Sequence, residues 1–296
     1  MKQNKSLLNI SDLSRNDILD IFKYSLDLDK EQTLLLKNKS IGLIFEKYST
    51  RTRLSFQVGI NQLGGNAIDI KFDELNLQRI ESLEDTFKIF ELYLDALVFR
   101  TNDHTKLNMA YKYFNKPIIN ALSDLSHPCQ IIADFFTINQ IFNTLDDISI
   151  CWFGDMNNVL YSYFEFLVLF PNINLNVFTN ENIFKKNNLN FPKSKNINFY
   201  FNLDNTVIST ADVIMTDVFT SMNDVKNNKE ILLKNFQVNM DLINLTKNDC
   251  IFMHCLPANI GVEVTHDVLL NPKSKVMIQA KNRLIAQRGI LQWLKI

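Results

Sequence analysis

Residues 40–71 read SIGLIFEKYSTRTRLSFQVGINQLGGNAIDIK, and the fold is decided there. Ser40–Glu46 is a short apolar run of strand type, followed by a polar loop, Lys47 to Thr52. A segment of helical period comes next and stops at Gly64-Gly65, a pair suited to a helix C-terminus. Asn66–Lys71 then reads as a second strand. Strand, helix and strand in such close succession form a βαβ unit, which demands parallel strands.

The alternation continues in both directions. An opening helix is predicted over about Ser11 to Leu28. Ser82 with Asp85 resembles a capping box that opens another helix. Ala96–Arg100 is a third strand, Thr105–Phe114 a helix, Pro117–Leu122 a fourth strand and Pro128–Asn143 a long helix. A second series starts with strand Ile148–Gly154 and helix Asn157–Phe170. Strands follow at Asn174–Thr179, Ile197–Phe201, Val213–Val218 and Cys250–Cys255, and Ser274–Leu294 has helical periodicity. Lys185–Asn196 is polar and reads as a surface loop. The predicted class is α/β, two domains of similar size joined near residues 134–146, with ligands at the carboxyl ends of the strands between them.

Composition narrows the function. The chain has 296 residues, 46% of them hydrophobic, and 31 Lys and Arg against 32 Asp and Glu leave a net charge of −1. That apolar content excludes disorder, and the balanced charge argues against a nucleic-acid binder, which needs surplus cations. The most apolar run, Tyr161–Phe170, is too short to span a bilayer, and Met1–Ser11 is no signal peptide. Cys129, Cys151, Cys250 and Cys255 form neither a CxxC pair nor a disulfide framework, which suits a reducing, cytoplasmic setting. Arginine is rare: Arg15, Arg51, Arg53, Arg79, Arg100, Arg283 and Arg288 are the full set.

Each chemical motif falls where a strand has just ended. Ser49-Thr50-Arg51-Thr52-Arg53 concentrates hydroxyls and guanidinium groups at a helix start, where unpaired N–H groups and positive potential favour an anion. The competing reading is a capped helix with solvated arginines. Arg100 ends the third strand, facing a cleft or solvent. His127-Pro128-Cys129-Gln130 starts a helix, and its neutral imidazole can donate to a carbonyl oxygen, though a lone histidine here is as readily a capping residue. Asp217, with Ser221 and Met222, follows strand 213–218. In His254-Cys255-Leu256-Pro257 the first two side chains should point to opposite faces of a strand and form no dyad. Their spacing also does not suggest a zinc site. Neither GxGxxG nor GxxxxGK[ST] occurs.

Taken together, Ser49-Thr50-Arg51-Thr52-Arg53, His127-Pro128-Cys129-Gln130 and Phe252–Pro257 resemble the aspartate/ornithine carbamoyltransferase family, from about Leu7 to Leu294. The third motif and Asp217–Met222 resemble its ornithine branch. The resemblance implies a first domain of residues 1–134 plus 277–296, with the C-terminal helix returning to it, and a second domain of 135–276. It implies that Ser49, Thr50, Arg51 and Thr52 bind the phosphate of carbamoyl phosphate. Arg100, His127 and Thr52 would hold its carbonyl oxygen and Gln130 its amide end. Arg283 would close that site, and Cys255 and Leu256 would lie between the substrates. Asn158, Asp217, Ser221 and Met222 would bind L-ornithine, with Arg51, Arg100, His127 and Cys255 catalytic. Asn76 would reach a neighbouring active site in a homotrimer. No metal or organic cofactor is implied, and neither nucleic acid nor membrane is a partner. The sequence departs from the family pattern at Asn76, Phe219, Asn223 and Asn259-Ile260.

That chemistry is attack of an amine on the carbamoyl carbon, with an oxyanion stabilised by donors and phosphate leaving. Other amine acceptors (N-acylated ornithine, putrescine, aspartate) and a catalytically silent metabolite-binding paralogue are the competing readings. Asp217 speaks against acylated ornithine, which lacks the α-ammonium group, and putrescine lacks the carboxylate.

Overall fold

The structure is a computed structural model that describes residues 5–31, 33–47, 49–75, 81–187, 191–192, 194–220 and 228–296. The chain divides into two compact units, residues 1–136 with 282–296 and residues 137–281.

The first unit is built on a parallel sheet of four strands in the order β2-β1-β3-β4. These are β1 (Ser40–Phe45), β2 (Asn66–Lys71), β3 (Ala96–Arg100) and β4 (Ile118–Leu122). β1 and β3 are the central pair, and Ile41–Phe45 and Ala96–Phe99 are buried, as expected for strands covered on both faces. The connecting helices are α2 (Thr50–Gln62), α3 (Leu83–Tyr93) and α4 (His104–Tyr113). Gly64, at φ +78°, turns the chain out of α2 in the left-handed conformation that suits glycine. Ser82 caps α3 by accepting the Asp85 N–H.

The opening helix, α1 (Arg15–Lys30), begins later than the sequence suggests because Ile10–Asp12 closes a 3-10 turn first. Ser14 then caps α1, its hydroxyl taking the Asp17 N–H while the Asp17 carboxylate takes the Ser14 N–H. Ile18, Ile21, Phe22, Ser25 and Leu28 form the buried face of α1. The end of the last helix packs there too. Trp293 Nε1 donates to Asp17 at 2.7 Å, and Arg288 pairs with Asp29 at 3.0 Å. Gly289 comes so close that a Cβ would lie 2.6 Å from the Ile21 carbonyl oxygen.

The second unit carries a five-stranded parallel sheet in the order β7-β6-β5-β8-β9. Its strands are β5 (Ser149–Phe153), β6 (Asn174–Phe178), β7 (Ile197–Tyr200), β8 (Val213–Thr216) and β9 (Ile251–His254). Between the units in sequence runs α5 (Pro128–Phe142), and α6 (Asn158–Leu169) follows β5. From Val159 to Leu167, α6 is buried on nearly every side except at Tyr161. Five short helices have no counterpart in the sequence reading: α7 (Glu181–Lys186), α8 (Asn205–Ile208), α9 (Lys229–Leu233), α10 (Met240–Leu245) and α11 (His266–Leu270). At four to six residues they are too brief to show a helical period, and α7 takes Lys185 and Lys186 out of the predicted loop. The last helix, α12 (Val276–Leu294), ends in the first unit. No helix among the described residues is long and apolar enough to cross a membrane.

Candidate active site

In the first unit, three strand ends bring cationic and hydroxyl groups together. Ser49 is the N-cap of α2 yet its side chain makes no capping bond; its oxygen instead accepts from Arg100 Nη1 at 2.9 Å. The N–H groups of the first turn of α2 have no partner within the helix and remain available to an anion. Thr52, 1% exposed, accepts from Arg283 Nη2 at 2.6 Å. Thr50 and Arg51 stand exposed at the helix start. Arg53 turns away and pairs with Asp69 of β2. Behind Arg100, Glu46 takes hydrogen bonds from Thr101, Asn102 and Lys106, which fixes the chain leaving β3.

His127 enters from the turn between β4 and α5. Asn120 of β4 braces that turn, donating to the carbonyls of Leu8 and Ser126 and accepting the Leu122 N–H. Pro128 starts α5, a position that needs no N–H donor. His127 is buried, and burial, with Arg283 and then Arg100 nearby, holds its pKa well below 6.5. At neutral pH it is therefore an uncharged imidazole whose N–H can donate without adding a cation. Three residues on, fully buried Gln130 donates from Nε2 to Asp134 at 2.8 Å. Cys129 next to it is inert, its thiol pushed up to about 12 by burial.

The second unit presents a carboxylate and a thiol. Asp217 directly follows β8 and is 7% exposed. Cys255 donates its S–H to Asp217 Oδ1 at 2.7 Å, and Asn157 donates from Nδ2 to Oδ2 at 2.7 Å. Asn157 also caps α6, its oxygen accepting the Val159 and Leu160 N–H groups. Asn158, half-buried, is the next residue. Leu256 adopts φ +56° before a cis bond to Pro257.

The expectation that His254 and Cys255 are kept apart needs correction. β9 ends at His254, so strand alternation stops there, and donor atoms of Asp217, His254 and Cys255 all lie within 4.8 Å of one another. Both imidazole nitrogens are nevertheless engaged. Nδ1 accepts the Leu256 N–H at 2.9 Å and Nε2 faces Glu263 at 3.3 Å, so the ring braces the Leu256 turn.

Ser49, Thr52, Arg100, His127, Gln130 and Arg283 thus belong to one unit, with Thr50 and Arg51 at the same helix start, while Asn158, Asp217, Cys255 and Leu256 belong to the other. Asn76, Ser221 and Met222 lie outside the described residues, as does Asn223. Sequence reading passed over Asn157, Asp134 and Glu263 as members of these clusters. Asn157 had a signal, a capping residue type right after a Gly turn, and Asp134 is an acid within an apolar helix; Glu263 had none.

Comparison with known proteins gives this arrangement a family. Residues 5–140 match the aspartate/ornithine carbamoyltransferase carbamoyl-P binding domain, and residues 146–294 match the Asp/Orn binding domain. The ornithine carbamoyltransferase of Methanococcus aeolicus is 37% identical over 97% of this chain and 98% of its own length. That of Archaeoglobus fulgidus is 38% identical over 97% and 96%. Among solved structures, ornithine carbamoyltransferase from Pyrococcus furiosus superposes with a TM-score of 0.86 at 35% identity, covering 97% of this chain and 96% of that one. The Thermus thermophilus enzyme gives 0.87 at 28% identity, covering 98% and 99%. Both halves of the family pattern and both parallel sheets are present, so the chain belongs to the aspartate/ornithine carbamoyltransferase family and is an enzyme of carbamoyl transfer.

Proposed function

We propose that the chain transfers the carbamoyl group of carbamoyl phosphate to the δ-amine of L-ornithine, giving L-citrulline and phosphate. The observation that carries the acceptor is the environment of Asp217. Its carboxylate is buried, its hydrogen bonds come from a neutral amide and a neutral thiol, and no cation pairs with it among the described residues. A buried carboxylate in that state is costly until a cation reaches it. The α-ammonium of ornithine supplies the charge, and N-acylated ornithine does not.

Carbamoyl phosphate suits the other cluster. Ser49, Thr50, Arg51 and Thr52, with the first-turn N–H groups of α2, hold the phosphate, and Arg283 closes over it from α12. Arg100 and neutral His127 donate to the carbonyl oxygen, Gln130 takes the amide end, and Leu256 packs beside the acyl group. The amine nitrogen attacks the carbamoyl carbon, the carbonyl electrons move to oxygen, and the C–O bond to phosphate breaks as the oxyanion collapses. Each donor on that oxyanion is worth about 3–4 kcal/mol. Arg51 balances the charge gathering on the departing phosphate. A free δ-amine titrates near 10.4, so about one part in a thousand is neutral at pH 7.4. Cys255, hydrogen-bonded to Asp217, orients the amine and relays the proton it loses to solvent water. The reading extends to a cytoplasmic homotrimer in arginine synthesis, with Asn76, Ser221 and Met222 completing the sites.

A colorimetric citrulline (ureido) assay tests this with carbamoyl phosphate and ornithine, Nα-acetylornithine, putrescine and aspartate in turn. Ornithine is expected to be the sole good acceptor. Nα-acetylornithine reacting with equal kcat/KM would remove the role given to Asp217. Equal turnover of putrescine, which keeps the second ammonium group but lacks the carboxylate, would remove the assignment of an amino-acid acceptor.

A further inference from the structure

Asp134 is a fully buried acid among Ile131, Ile132, Ala133, Phe135 and Phe136. An apolar side chain would avoid the desolvation cost of a carboxylate at that place. Its contact with Gln130 gives the acid a task. Gln130 Nε2 donates to Asp134 Oδ1 at 2.8 Å, an orientation of the carboxamide that places its nitrogen toward the acid. The other end of that amide, Oε1, is buried and has no hydrogen-bond partner among the described residues. Gln130 sits in the first turn of α5, three positions after His127, which lies in the turn just before that helix.

A buried acceptor left unsatisfied calls for a donor. Carbamoyl phosphate offers one in its NH2 group. Acetyl phosphate has the same size and shape but puts a methyl group there. The guanidinium, imidazole and hydroxyl donors meet the carbonyl and phosphate oxygens, which the two compounds share, and so cannot tell them apart.

We propose that Asp134 is a positioning residue that sets acyl-donor specificity: by fixing the Gln130 carboxamide with Oε1 outward, it selects a carbamoyl over an acetyl group. This rests on the carbamoyl phosphate reading above.

The test measures KM for carbamoyl phosphate, with acetyl phosphate and inorganic phosphate as competing inhibitors, in the wild type, Asp134→Asn, Asp134→Ala, Gln130→Ala and the double variant. Asp134→Asn keeps an acceptor but adds an amide donor, so Gln130 can turn over and present its nitrogen. In both Asp134 variants KM for carbamoyl phosphate is expected to rise about fivefold to tenfold, the loss of one hydrogen bond, while both inhibition constants stay within about twofold. Adding Asp134→Ala to Gln130→Ala should change nothing further. An unchanged carbamoyl-to-acetyl ratio in the Asp134 variants overturns the proposal. So does equal weakening of all three anions, the mark of a merely structural role, and so does an Asp134 effect that persists without Gln130. If Asp134→Ala does not fold, Asp134→Asn decides the ratio alone. If the wild type makes no citrulline, thermal-shift titration with the three anions still yields the ratios, so failure of the ornithine reading and failure of this proposal remain separate results.

Discussion

Arg283 donates to Thr52 at 2.6 Å across 231 positions of sequence, tying α12 to the first turn of α2. Both side chains are buried. The hydroxyl gives the guanidinium a neutral acceptor and so leaves its charge uncompensated at that contact.

Thr52→Val tests that tie, since valine keeps the volume and removes the oxygen. The buried guanidinium loses an acceptor, which should cost about 1–3 kcal/mol in urea denaturation. Carbamoyl phosphate binding should weaken as well, whereas ornithine KM at saturating carbamoyl phosphate should hardly move.

Arg51 is exposed at the start of α2 and free to meet a phosphate. Its charge should matter most as the phosphate leaves, so Arg51→Ala is expected to lower kcat as well as raise KM for carbamoyl phosphate. Steady-state kinetics in both substrates separates the two effects. A rise in KM with kcat intact would mean Arg51 serves binding only.

Asp217→Asn keeps the shape and removes the charge. The α-ammonium of ornithine does not change charge during the reaction, so the loss should fall on ornithine KM, at about 1.5–3 kcal/mol for a charged hydrogen bond. Unchanged ornithine kinetics would force the acceptor assignment to be abandoned.

His127 makes stability depend on pH. In the unfolded chain it takes a proton near its ordinary value of 6.5, while in the fold burial, Arg283 and Arg100 hold it well below that. The unfolded state therefore binds more protons as pH falls below about 6.5, and stability drops by about 1.4 kcal/mol per pH unit for this one group. His127→Gln should flatten that part of the profile between pH 7.5 and 5. His104, also lowered by burial, continues to contribute its own slope. Equal acid sensitivity in wild type and variant, read from urea midpoints, would contradict the buried neutral state.

Gly289→Ala should destabilise by about 1–3 kcal/mol, the usual cost of overpacking. The added methyl would meet the Ile21 carbonyl at 2.6 Å, and backbone yields less readily than a side-chain tip. A melting temperature equal to the wild type would show that α12 can lift away from α1 without penalty.

Much of this was legible in the sequence. The strands buried on both faces appear as unbroken apolar runs such as Ile41–Phe45, and the arginine-rich start of α2 announces itself because arginine is so scarce. What stayed hidden depends on tertiary contact. The link from Arg283 to Thr52 has no local pattern, and short helices such as α8 and α11 carry too few residues to show a period. The nearness of His254 to Asp217 and Cys255 arises because the strand ends one residue before the cysteine. The anchoring of Gln130 by Asp134 was written in the chain as an i, i+4 pair, but neither residue signals it without knowledge of what surrounds them.

Residues 282–296 belong to the first unit, although the whole of 137–281 precedes them in the chain. During synthesis the ribosome therefore makes the entire second unit before it supplies Arg283, Gly289 and Trp293 to the first. At about 5–20 residues per second the earlier half waits on the order of ten seconds or more for its last helix. Through that interval the face of α1 against which Gly289 packs is uncovered, and the amino-acid-binding half can finish folding first. Order of completion is thus the reverse of order of translation, and a nascent chain can acquire the Arg283–Thr52 contact only after every residue of the other half exists.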